Sequence, residues 1–88
     1  MQLDEADVKP VITRMKRAHG HLATVIRMLE EGAECEDALT QLAAVNKALS
    51  RAGFALVATG MHTCMREADG DADAVDVARM EKLFLSLA

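Results

Sequence analysis

Two cysteines, Cys35 and Cys64, are the residues of this chain with the most chemistry to offer, and 29 positions separate them. A thiolate is both a nucleophile and a soft ligand, so a pair of them can exchange sulfur, close a disulfide or hold a soft cation. Two buried, inert thiols are the plain alternative. The histidines His19, His21 and His62 are not spaced as a metal cluster and read as surface or packing side chains. No catalytic triad, phosphate loop or paired-carboxylate motif is visible, so the chain does not read as an enzyme and no cofactor is expected.

The elements that must carry these thiols are helices. With 88 residues the chain makes one domain, residues 1–88, and so short a chain buries little core alone, which makes oligomerisation the first expectation. Half the residues are apolar, yet only two are aromatic. That share is carried by Ala, Leu, Val and Met, which favour helix over strand. Punctuation divides the chain in three. The first helix is expected over about residues 7–31, with Asp7 as cap, Pro10 in the first turn and Gly32 as the stop. Its apolar positions, from Val8 and Val11 to Ile26 and Leu29, recur at three- and four-residue steps.

From about Glu36 to Glu67 no proline or turn cluster intervenes, and a single helix of roughly 30 residues is expected, with a hairpin at Gly53 as the alternative. Leu39, Leu42, Asn46, Leu49, Gly53, Leu56, Gly60 and Thr63 form a heptad-like seam suited to a partner helix, with the glycines admitting a close neighbour. After an acidic loop at Asp69–Asp73, Asp71 or Asp73 can cap a last helix reaching about Leu87, whose apolar side holds Val75, Val77, Ala78, Leu83, Phe84 and Leu87.

A continuous central helix sets Cys35 and Cys64 roughly 43 Å apart at 1.5 Å per residue, out of reach within one chain. Two such helices packed antiparallel about a two-fold axis would bring Cys35 of each copy to Cys64 of the other, giving two equivalent dithiol sites. Cys35, at the amino end of its helix, has free amides to face a thiolate, which Glu34, Glu36 and Asp37 oppose in part. It reads as the attacking thiolate and Cys64 as the resolving thiol.

The net charge of −4 hides a segregated layout. Residues 8–29 hold Lys9, Arg14, Lys16, Arg17 and Arg27 and no acid, and residues 38–66 hold Lys47, Arg51 and Arg66 and no acid. Arg14 and Arg17 share a helix face. Repeated by symmetry, such a face can follow a phosphate backbone, although a merely solvated face fits the charges as well. No aromatic residue interleaves the basic ones, which disfavours single-strand binding by stacking. No apolar run approaches the roughly 18–20 residues of a membrane span and the amino terminus is acidic, so a soluble cytoplasmic protein is expected, where thiols stay free, bind metal or do redox chemistry.

Three stretches, TRMKRAHG from Thr13 to Gly20, MLEEGAEC from Met28 to Cys35 and above all LTQLAAVNKAL from Leu39 to Leu49, make the chain resemble the CsoR/RcnR family, the copper-sensitive operon repressors, over nearly its whole length. The resemblance implies an all-α, three-helix protomer, an antiparallel dimer, a tetramer of two dimers, and double-stranded operator DNA released when an inducer fills the intersubunit site. By position it assigns DNA contacts to Arg14, Arg17 and Arg51, with Lys16 and Lys47 as weaker additions.

Copper-sensing members set a cysteine of one subunit against a histidine and a cysteine, four apart, of the other. Cys35 and Cys64 match the cysteines, but the histidine position is Gly60. His62 is no substitute, because two residues along a helix turn the side chain by about 200°. The histidines of nickel and cobalt members fall on Leu3 and Cys64, the proline of formaldehyde sensors on Gln2, and the tyrosine common before the first cysteine of copper members on Glu34. Two cysteines without the histidine look like the CstR-like, persulfide-sensing branch, which implies a repressor induced by reactive sulfur species and no bound metal. The alternatives are a Cu(I)-responsive repressor with Cys35, Cys64 and the thioether of Met61 as ligands, and, in another class, a helical oligomerisation module without DNA binding.

Overall fold

The computed structural model describes residues 2–67 and 77–87, without the side chains of Cys64, Glu67 and Val77. Three helices follow in order: α1 (Glu5–Glu30), α2 (Cys35–Glu67) and α3 (Val77–Leu85). The all-α expectation holds, with no strand among the described residues. Helix α1 starts a half-turn earlier than expected because Asp4, not Asp7, is the cap: its carboxylate accepts from the Ala6 amide at 3.2 Å. Pro10 therefore lies in the second turn, where its ring removes the donor that the Ala6 carbonyl would have taken. Ala6 is exposed, so water can serve that carbonyl.

Gly32 ends the helix as expected. It takes φ 81°, a value that glycine adopts without strain, and the Ala33 amide reaches back to the Met28 carbonyl at 2.8 Å. The short turn sends α2 back along α1. Two links fix the antiparallel sense: His21 Nε2 meets Gln41 Oε1 at 2.7 Å near the turn, and Asp7 pairs with Arg66 at the far end.

Along the hairpin run two ladders of seven-residue step, Val11, Ala18 and Val25 on α1 and Ala38, Val45 and Ala52 on α2, all buried. A seven-residue step keeps one seam of each helix on its neighbour, and the alanines let the axes close up. Helix α2 crosses Gly53 without a break, so the hairpin alternative fails. Helix α3 returns onto α2: Phe54 stacks on Phe84 with centroids 4.8 Å apart, and a methyl of Leu87 lies 2.9 Å from where a Cβ on Gly53 would stand.

Two expectations about burial need correction. The seam from Leu39 to Thr63 does not stay on one outward face. Leu39, Leu42, Asn46 and Leu49 are exposed, but Gly53, Gly60 and Thr63 are buried inside the protomer. A straight helix drifts from a seven-residue repeat by about 20° per heptad, and Leu87, just past the end of α3, occupies the space beside Gly53. On α3 itself the buried residue is Met80, whereas Ala78, Leu83, Phe84 and Leu87 keep more than a third of their surface in water. Val75, Asp71 and Asp73 fall outside the described residues.

The protomer is a slab of 55 × 25 × 13 Å. Its radius of gyration is 16.8 Å, against roughly 12 Å for a compact chain of this length. Ile12, Met15, Ile26 and Leu29 of α1 and Leu39, Leu42 and Leu49 of α2 are exposed, with Leu29 and Leu39 at 60% and 59%. A layer one helix thick cannot cover apolar stripes this wide.

Candidate functional site

Cys35 is the first residue of α2, directly after the Gly32 turn, and its thiol is free and exposed. The Ala38 amide bonds the Glu34 carbonyl at 3.1 Å, which starts the helix one residue before Cys35. Beside the thiol lies a groove of about 220 Å³ walled by Val25, Leu29, Ala38, Leu39 and Leu42, so it opens onto the apolar stripe. Cys64 stands near the other end of the same unbroken helix. The geometry expected of the two thiols is therefore present in its main element, a rod that holds its two cysteines an entire helix apart.

The third-ligand position is equally plain. Gly60, four before Cys64, is buried, so its side of α2 is turned into the protomer. His62 is exposed, His19 is exposed, and His21 is engaged with Gln41. Among the described residues no group of three His, Cys, Asp or Glu side chains is placed to hold a metal. Met61 is half-buried, one turn before Cys64.

The basic residues separate into two groups. Arg14 and Arg17 of α1 and Arg51 of α2 line one shallow cleft of about 370 Å³, floored by Ala48. Their assembly needs both helices: the three-residue step puts Arg14 and Arg17 on one face of α1, and the antiparallel return brings Arg51 across from them. Lys16 and Lys47 are exposed but do not line that cleft.

Sequence reasoning missed what holds the open end of the hairpin. Asp7, taken as a cap, pairs instead with Arg66, and Thr63, taken for an outward seam residue, is 4% exposed with its hydroxyl unpartnered. An acid in a first turn is ordinary helix chemistry, so only the chain's return could reveal the pairing.

The structure thus presents a helical hairpin with a free thiol at its turn and arginines gathered across its two helices. The family model for metal-sensitive transcriptional repressors matches residues 7–86, and the chain belongs to that family, one of repressors and not of enzymes. Among curated proteins it is 40% identical over 60 residues to the copper-sensing transcriptional repressor CsoR of Mycobacterium ulcerans, covering 68% of this chain and 51% of that one. It is 35% identical over 71 residues to the copper-sensing transcriptional repressor CsoR of Mycobacterium tuberculosis H37Rv, covering 78% and 60%. It is also 42% identical over 40 residues to the uncharacterized protein YrkD of Bacillus subtilis, covering 46% and 64%. The chain thus spans between half and two thirds of the length of these relatives. No solved structure matches it at a significant level.

Proposed function

We propose that the chain is a cytoplasmic, homo-oligomeric repressor that grips double-stranded operator DNA through Arg14, Arg17 and Arg51, aided by Lys16 and Lys47, and lets go when sulfur links Cys35 to the partner subunit's Cys64. The observation that carries this reading is the unbroken α2, 33 residues long, with a cysteine at its first position and another near its last. A rod of that length keeps its own two sulfurs apart, and in this reading a second copy supplies the second sulfur. The exposed leucines of α2 and the isoleucines of α1 supply the face for that copy, and a pair of such dimers makes the tetramer.

The buried Gly60 supports sulfur chemistry over metal chemistry, because no imidazole stands beside the pair. The Cys35 thiolate attacks the outer sulfur of a persulfide R–S–SH and expels RS⁻, leaving Cys35–S–SH. The partner subunit's Cys64 thiolate then attacks the inner sulfur, closing the disulfide and expelling HS⁻. Both steps conserve atoms and electrons and need no third ligand. The new bond favours whichever arrangement of the two copies it fits, and the DNA-competent arrangement loses population.

A second reading is a Cu(I) sensor. The copper sensing for which the mycobacterial relatives are named favours it, and two thiolates with the Met61 thioether make a soft donor set.

One titration separates the readings. Fluorescence anisotropy of the reduced chain on a duplex selected from random sequence should give binding that sodium tetrasulfide weakens at least tenfold, with a covalent dimer on a non-reducing gel, and C35A or C64A should abolish both effects. Release by Cu(I) alone, with indifference to tetrasulfide, selects the copper sensor. Failure to bind any duplex even at low salt leaves a helical oligomerisation module.

A further inference from the structure

The open end of the hairpin, where α2 finishes beside the start of α1, is built unlike the rest. The buried ladder ends at Val11 and Ala52. Beyond it Thr63 lines an open pocket with Gln2, Leu3, Asp4 and Arg66, and its buried hydroxyl finds no partner. Polar groups thus take over where apolar contacts stop, and a buried donor without an acceptor marks packing that is not at its optimum.

The Asp7–Arg66 pair crosses this end and joins the first turn of α1 to the last turn of α2. Among the ion pairs and side-chain hydrogen bonds described, it ties the two helices where the buried ladder has stopped. A tie of this kind opposes displacement of one helix end relative to the other.

We infer that this pair is a brace that makes Arg66 a positioning residue, carrying a displacement of the last turn of α2, where Cys64 stands, into α1 and its Arg14 and Arg17. The inference rests on the dithiol switch proposed above. Asp7, Arg14 and Arg17 ride on one continuous helix, softened but not broken at Pro10. A link made at Cys64 loads the turn that Arg66 shares, and the brace turns that load into a shift of α1 relative to Arg51. The arginine cleft, lined from both helices, changes shape as a result.

The test uses the full chain with D7N, R66Q and the charge-swapped double variant D7K/R66E, each measured on the selected duplex before and after sodium tetrasulfide. Reduced D7N and R66Q should bind within about twofold of the unaltered protein, yet release by tetrasulfide should shrink from at least tenfold to less than threefold, and the swap should restore most of it. Single variants that release DNA as fully as the unaltered protein, or that lose affinity equally in both states, overturn the brace. If the unaltered protein keeps its DNA although a gel shows the cysteines linked, the proposed function fails, and amide hydrogen exchange over residues 5–14 judges the brace by itself. Exchange that changes on linking in the unaltered protein but not in D7N supports it; an equal change in both overturns it.

Discussion

At its turn, the hairpin is closed by a glycine-capped helix end, a buried valine and a single hydrogen bond between His21 and Gln41. At its open end, the same two helices are held by an ion pair between half-exposed side chains, a buried hydroxyl with no partner and two small residues of α2, Gly60 and Thr63. The first arrangement derives its strength from excluded water, which salt leaves largely untouched. The second depends on charge and on imperfect packing, so it yields first when the environment changes. One cysteine stands at each end: Cys35 follows the glycine-capped turn, and Cys64 lies two residues before the Arg66 of the ion pair.

The contrast can be broken most directly at the firm end. Val25→Asp places an unpaired charge in the ladder beside the turn and should cost about 3 kcal/mol or more in chemical denaturation, enough to unfold so small a protomer. An acid tolerated there would mean that the turn end is as yielding as the other. Thr63→Val tests the open end with the opposite sign. It keeps the shape and removes the orphaned hydroxyl, so stability should rise by about 1 kcal/mol; a loss of that size would show that the hydroxyl has a partner after all. The smallest effect belongs to Gln41→Ala, which should cost about 0.5–1 kcal/mol and change little between low and high salt. A strong salt dependence there would erase the distinction between the two ends.

Which parts of this arrangement could be read from the chain alone follows from how local each one is. The stop at Gly32, the uninterrupted run through Gly53 and the grouping of Arg14 with Arg17 depend on a few neighbouring residues, and all three were legible. The cap was misplaced because Asp4 and Asp7 offer the same side chain, and only the backbone decides which one precedes the first turn. The seam failed at its second half for a longer-range reason. Gly53 and Gly60 look alike as invitations to a neighbour, but whether the neighbour is a second copy or the chain's own α3 depends on residues some thirty positions further on, such as Leu87. The Asp7–Arg66 pairing joins residues 59 positions apart and has no local signature at all.

The straight, unbroken α2 also has a genetic consequence. If its two sulfurs must find their counterparts in another copy, the responding unit is a pair of molecules, while the unit that a mutation damages is one. A cell producing one chain without Cys35 and another without Cys64 would assemble mixed pairs in which a single complete junction survives. Two alleles that are each deaf to the signal would then answer it together.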